Sequence, residues 1–157
     1  MKALIIYDSL YGNTKLLAEA MVQVFPPDSA EALAVDTADL SGLKAIDLLV
    51  VGSPTHGGRP KTELQAWLDK IPEGALKNIK LAVFDSRFLE KEQKLPLRLL
   101  MKTIGYAAPR LARILESKGG TIIAPPQGFI VTKMKGPLQT GELDRAQAWI
   151  KEILWTK

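Results

Sequence analysis

The chain alternates short apolar runs with stretches whose apolar residues recur every three or four positions, and few folds accept that order. Ala3–Tyr7 (Ala-Leu-Ile-Ile-Tyr) is continuously apolar, and Asp47–Gly52 (Asp-Leu-Leu-Val-Val-Gly) is nearly so. Both suit strands covered on two faces. Lys80–Phe84 and Thr121–Ala124 repeat the pattern, and Glu31–Val35 is a shorter candidate. Pro125-Pro126 interrupts the last strand, which Phe129–Val131 resumes. Between these runs, Thr14–Phe25 sets Leu16, Leu17, Ala20, Met21 and Val24 on one stripe and stops at Pro26-Pro27. Leu64, Trp67, Leu68 and Ile71 form a second helical stripe, closed before Pro72. Ala107–Lys118 predicts a third helix ending at Gly119-Gly120. A last helix carries Leu143, Ala146, Ile150, Ile153 and Leu154. Trp67, Trp149 and Trp155 share helical spacing with apolar neighbours and read as packing residues. Five strands separated by helices predict an α/β fold, a parallel sheet helix-covered on both faces. Its 157 residues suit one domain over 1–157.

Composition narrows the chemistry. With no Cys and one His, the chain offers no disulfide frame, no thiolate nucleophile, no Cys-ligated metal and no conventional His-based zinc site. No apolar run reaches the ~20 residues of a membrane span, and the first strand is too short for a secretory h-region. A cytoplasmic location is the expectation. The net charge is +4, from 21 basic and 17 acidic residues. Much of the excess falls between Arg87 and Lys102, where Arg87, Lys91, Lys94, Arg98 and Lys102 face only Glu90 and Glu92. Mixed with Phe88, Leu89, Leu95, Leu97, Leu99, Leu100 and Met101, this segment reads as a longer amphipathic crossover or a docking surface. No nucleic-acid motif accompanies the charge.

In a doubly wound sheet, ligands sit beyond the carboxyl ends of the strands where strand order reverses, which directs attention to loops 8–14, 53–60 and 85–90. The first reads Ser9-Leu10-Tyr11-Gly12-Asn13-Thr14, between a strand and a helix. Two hydroxyls flank a Gly and an Asn, residues that tolerate positive φ. Such a turn aims N–H groups at one point on the positive end of a helix, where a phosphate is stabilised, or simply caps the helix. Gly-x-x-x-x-Gly-Lys-Ser/Thr and Gly-x-Gly-x-x-Gly are both absent. Nucleoside triphosphates and the usual dinucleotide mode therefore lose support, and no second nucleotide site is evident.

Leu4–Ala18, with Ser9, Gly12, Thr14 and Ala18 at matching spacing, resembles the N-terminal FMN-phosphate signature of flavodoxins. Gly52-Ser53-Pro54-Thr55-His56-Gly57-Gly58-Arg59-Pro60 resembles that family's flavin-facing loop. Phe84-Asp85-Ser86-Arg87-Phe88 falls where the family closes over the ring, and Gly105–Gly120 resembles its helix before the last strand. The resemblance implies a flavodoxin-like three-layer fold, five parallel strands in the order 2-1-3-4-5, and FMN as cofactor; that order comes from the resemblance alone. It implies that Ser9, Leu10, Tyr11, Gly12, Asn13 and Thr14 cradle the phosphate. Pro54, Thr55, His56 and Gly57 would line one side of the isoalloxazine, and Asp85, Ser86, Arg87 and Phe88 the other. Gly57 and Gly58 would permit a peptide reorientation beside the flavin N5. No side chain is required as a catalytic acid or nucleophile.

Two departures bear on function. Familiar flavodoxins are strongly acidic, whereas this chain is basic, so a redox partner with an acidic surface, or a small electron acceptor, is expected. They also often sandwich the ring between Trp and Tyr, whereas these loops offer His56 and Phe88. Both changes favour a less reducing carrier. The leading function is FMN-dependent electron transfer. Its alternatives are an oxidoreductase of the quinone or porphyrinogen type and an interaction module without cofactor.

Overall fold

The computed structural model describes residues 1–55, 59–88 and 106–155, apart from the side chain of Phe88. Four parallel strands form its frame: β1 (Ala3–Tyr7), β2 (Ala30–Ala34), β3 (Leu48–Pro54) and β4 (Lys80–Phe88). Two short pieces, β5 (Thr121–Ile122) and β6 (Gln127–Val131), both pair with β4 and make up the fifth strand. The order is β2-β1-β3-β4-β5, as the resemblance implies. The interruption falls at Pro125-Pro126, whose missing N–H groups cannot join a ladder.

Alternation along the strands supplies two cores. Leu4, Ile6, Val51 and Val83 face one layer, with α2 (Thr62–Asp69) and α3 (Ala107–Ser117). Ile5, Val50, Ala82 and Phe84 face the other, with α1 (Asn13–Val22) and α4 (Glu142–Trp155). Among the described residues no helix is long and apolar enough to cross a membrane.

Several boundaries differ from the sequence reading. α1 ends at Val22 rather than Phe25, because the residue before Pro26 is pushed out of helical geometry. Ser41–Ala45 forms a 3-10 turn with no apolar period to announce it. The largest difference is β4, which runs four residues past Phe84. β6 pairs with it from Phe84 to Phe88, so Asp85, Ser86, Arg87 and Phe88 lie on a strand rather than in a loop. Residues 89–105, most of the basic-apolar segment, lie outside the described residues.

The tryptophans divide. Trp67 is buried and its Nε1–H donates to Ala38 O at 3.0 Å. Trp149 packs edge-on against Phe84 and Phe129. Trp155, at the end of α4, is 85% exposed, so its expected packing role is not met.

A carboxylate fastens α4 to the sheet edge. Glu142 accepts the Ile130 N–H at 2.6 Å and both Arg145 Nε and Nη2, while Arg145 Nη2 also donates to Gly128 O. Burial opposes its ionisation, but Arg145 and the Ile130 N–H outweigh burial and hold its pKa below the ordinary 4.5. The unfolded chain then binds more protons than the native one over the window just below that value. The contribution of Glu142 is therefore present above about pH 4.5 and lost as pH falls through the native pKa. In urea denaturation across that window, Glu142→Gln should be less stable than the parent at neutral pH, and the gap should shrink on acidification. A pH-independent gap would show that the ionised carboxylate is not what holds α4.

Candidate functional site

β1 leads through α1 to β2 on one side, and β3 leads through α2 to β4 on the other. Strand order therefore reverses between β1 and β3. The crevice expected at such a point lies beyond Tyr7 and Gly52, which are register partners. Asp8 N–H carries the pairing one step further, donating to Gly52 O at 3.0 Å.

The first loop turns at Gly12, whose φ of 91° is one that side chains with Cβ rarely adopt. Gly12 caps α1, but no cap side chain satisfies the first turn. Instead the Ser9 hydroxyl accepts the Gly12 and Lys15 N–H groups, at 3.1 and 3.3 Å. Asn13 and Thr14, also in that turn, have no preceding helical carbonyl to receive their N–H groups. Space above the Gly12 Cα is open: apart from its chain neighbours, no atom of the described residues lies within 4 Å of where a Cβ would stand. The first turn carries no acidic residue. Leu10 and Tyr11 are exposed, so their side chains leave the hollow of the loop to the backbone. An open hollow, hydroxyls and helix N–H donors together fit a phosphate dianion.

The other loops are tied to this one. The buried Thr14 Oγ1 lies 3.2 Å from the buried Ser86 Oγ on β4. Thr55 N–H donates to Ser86 O at 3.0 Å, which brings Thr14, Thr55 and Ser86 together from three separate stretches of sequence. Ser53, fully buried, accepts the Lys61 N–H at 3.3 Å and closes the second loop. His56 and Gly57 lie outside the described residues, as does the side chain of Phe88.

Asp85 is fully buried and receives four donors. Arg87 Nε and Nη2 grip it bidentately, the Ala108 N–H donates at 2.8 Å, and the Thr55 hydroxyl donates as well. Thr55 Oγ1 in turn accepts the Ala107 N–H at 3.1 Å. A strand residue, Asp85, and a loop residue, Thr55, thus cap the start of α3. Burial is the largest influence on the Asp85 carboxyl and raises its pKa, with Arg87, Ala108 and Thr55 pulling against it. The Arg87 guanidinium stacks 3.7 Å from the Tyr106 ring centroid and lies against Gly128, where a Cβ would collide with it.

Other neighbours of the site were not legible in the sequence. Lys61 Nζ meets Asp8 Oδ1 at 2.9 Å. Burial opposes charge on Lys61, but Asp8 and Glu63 outweigh burial and raise its pKa. Gly136 packs against the Asn13 amide, and Lys135 Nζ lies 5.8 Å from the Tyr11 ring centroid. These pairs join residues far apart in sequence, and only Gly136, a glycine at positive φ, carries a local signal.

Asp85→Ala removes the carboxylate while leaving Arg87 behind, the kind of change that costs about 3–5 kcal/mol in a buried pair. Urea denaturation of the variant should show a loss of that size. A loss below about 1 kcal/mol, the scale of an exposed pair, would mean that the carboxylate does not hold this end of the sheet.

A family model described as a flavodoxin domain matches residues 4–94. A curated protein of Nostoc sp. (strain PCC 7120) that carries the name diflavin flavoprotein A 4 is 34% identical over 88 residues. The match takes in 52% of this chain and 15% of that protein, so the chain spans a small part of its relative. Among solved structures, oxidised flavodoxin 1 from Bacillus cereus aligns with a TM-score of 0.74 at 17% identity, over 98% of this chain and 97% of its own. A flavodoxin from the domain Archaea aligns at 0.74 and 21% identity, over 98% and 96%. Rubredoxin oxygen:oxidoreductase from Desulfovibrio gigas aligns at 0.69 and 19% identity, over 98% of this chain and 37% of its own. At these identities the structures establish the fold.

Proposed function

The chain belongs to the flavodoxin family, whose cofactor is FMN, and on that premise we propose that it is an electron-transfer protein. The observation that carries this reading is the loop Ser9–Thr14, open above Gly12 among the described residues, with Asn13 and Thr14 N–H groups that have no preceding helical carbonyl to receive them. In this reading Ser9, Leu10, Tyr11, Gly12, Asn13 and Thr14 hold the phosphate, through the hydroxyls of Ser9 and Thr14 and the N–H groups of the first turn. Ser86 fixes the Thr14 hydroxyl. Pro54 and Thr55 border the ring on one side, continued by His56 and Gly57. Ser86 and the end of β4 border it on the other, with Phe88. Asp85 and Arg87 act at one remove, holding Thr55 and α3 in place. Bound FMN supplies transfer of one or two electrons, and the chain supplies binding, orientation and electrostatics.

The two longer relatives carry flavoprotein and oxidoreductase names, which supports a redox role for this fold unit without carrying over their whole activities. One sheet with layers on both faces supports reading residues 1–157 as a single domain. The net charge of +4 favours a partner with an acidic surface, and the chain offers nothing that calls for a location outside the cytoplasm.

The test is an FMN titration of purified protein followed by fluorescence, with riboflavin as the ligand lacking phosphate. Thr14→Val keeps the shape and removes one hydroxyl from a charged ligand, and should weaken FMN about tenfold to a hundredfold. Riboflavin binding should not change. Equal losses for both ligands would place the hydroxyl away from the phosphate, and a protein that ignores FMN would favour an interaction module.

Charge and ring neighbours set the potential. Trp67 and Trp149 belong to the cores, and Tyr106 has one ring face covered by Arg87. A redox titration of the FMN-loaded protein should therefore give a less negative low-potential couple than acidic flavodoxins do. An equally negative value would contradict the electrostatic argument. Turnover of a small quinone without a protein partner would shift the reading toward an enzyme.

A further inference from the structure

Past β6 the chain turns back on itself before it enters α4. Val131 and Leu138 form an antiparallel bridge, and the Thr132 N–H donates to Pro137 O at 2.9 Å. The Thr132 hydroxyl donates to the same carbonyl, and the Gly136 N–H donates to Lys133 O at 3.0 Å. Residues 132–137 are therefore a closed hairpin, and its tip reads Lys133-Met134-Lys135.

The hairpin leans on the Ser9–Thr14 loop. Gly136, at a φ of 96°, lies so close to the Asn13 amide that a Cβ would collide with it. Lys135 Nζ stands 5.8 Å from the Tyr11 ring centroid. Two segments from opposite ends of the chain thus share one surface.

That surface is apolar at its centre. Met134 is 70% exposed and Tyr11 45%, and Leu16, three positions from Asn13 on α1, is exposed as well. Single exposed apolar residues are ordinary, whereas several on one face mark a contact. Lys133 and Lys135 flank Met134, and neither enters an ion pair among the described residues. No acidic residue stands between Val131 and Glu142, and Glu142 is taken up by Arg145 and the Ile130 N–H. The hairpin presents uncompensated positive charge around apolar side chains.

The charge pattern selects the occupant. A second copy of this chain, docked on the same face, would bring the same lysines together, and like charges oppose that. Recognition of an anionic membrane takes clusters of about four to eight basic residues, more than this tip carries. What fits is a protein contact face with carboxylates around an apolar centre. The hairpin's own bonds hold the lysine backbone in place, which lowers the ordering cost of docking, and a methionine adapts its shape to what it meets. Electron-transfer encounters are small, below about 1,200 Å2, so a few side chains suffice to seat a partner.

We propose that the 132–137 hairpin, with Tyr11 and Leu16, is the docking face for a protein bearing carboxylates around an apolar contact. Lys133 and Lys135 pair with the carboxylates, and Met134 and Tyr11 meet the centre. That this protein is a redox partner rests on the electron-transfer reading, since the face adjoins the loop assigned there to FMN; docking itself needs no flavin.

The probe is cytochrome b5, a haem protein with an acidic face, and the control is cytochrome c, whose face is basic. Each is titrated into the isotope-labelled full chain, with and without FMN, while backbone amide shifts are followed by NMR. Cytochrome b5 should move the amides of residues 132–136 and Tyr11, cytochrome c should not, and raising salt to about 0.2 M should weaken the effect. Lys133→Gln with Lys135→Gln removes two exposed ion pairs and should weaken binding about tenfold. Lys2→Gln with Lys77→Gln changes net charge equally at exposed positions ahead of β1 and β4, at the other end of the sheet, and should leave it nearly unchanged. Met134→Ser should weaken binding about fivefold while keeping its salt dependence. A chain that binds FMN but shows no hairpin shifts with cytochrome b5 overturns the docking face and keeps the electron-transfer reading. Hairpin shifts in a chain that ignores FMN keep the docking face and remove that reading. Equal losses in the two lysine pairs would mean that net charge alone acts, which overturns the proposal. So would hairpin shifts with phosphatidylserine vesicles in place of cytochrome b5, or self-association that Met134→Ser abolishes.

Discussion

A carboxylate with no solvent contact fixes the working end of this sheet. Removing Asp85 from water is expensive, and only a full set of donors offsets it. Those donors are Arg87, two positions along the same strand, Thr55 from the loop after β3, and the first turn of α3. Because none can leave without exposing the others to an unmet charge, the end of β4, the second loop and α3 are held as one body. Gly128 belongs to the same arrangement, since only a residue without Cβ lets the Arg87 guanidinium lie flat against β6.

That constraint reaches the Ser9–Thr14 loop through Ser86. Alternation on β4 turns Asp85 and Arg87 toward the α2–α3 layer and Ser86 toward the α1–α4 layer, where its hydroxyl meets Thr14. The same strand therefore fixes α3 on one face and the start of α1 on the other. On the opposite side of the loop, the Asp8–Lys61 pair joins the end of β1 to the start of α2. The open hollow above Gly12 is held from both sides before any ligand arrives, which lowers the ordering cost of binding.

The sequence made the frame legible because its signals are local. Continuous apolar runs marked β1, β3 and the start of β4, periodic stripes marked the four helices, and Pro125-Pro126 marked the break between β5 and β6. The strand order came from family resemblance, since nothing local states which strand pairs with which. The extension of β4 was missed because Asp85-Ser86-Arg87 is polar, and polarity in a short segment reads as loop until a partner strand satisfies it. Of the site residues, Ser9, Gly12 and Thr14 were legible from their spacing in one turn. Asp8, Lys61 and Tyr106 were not, because their roles exist only once distant elements meet. Trp155 shows the converse failure, since a helical stripe continues to the end of α4 although its last aromatic has no core beneath it.

Backbone recognition of an anion has a consequence for charge. In the proposed reading the first turn of α1 receives a phosphate through N–H groups, so binding asks for no cation in the loop itself. The nearby cations are already engaged, Lys15 with Glu19 at 3.7 Å and Lys61 with Asp8. Net charge can then vary without touching the cradle, and the chain's +4 makes no demand on that turn. Selection on surface charge is left to act on what approaches the flavin edge, because long-range fields govern encounter more than they govern a hydrogen-bonded site. On the proposed reading, the basic balance of this protein bears on its partner, while the geometry around Gly12 bears on its cofactor.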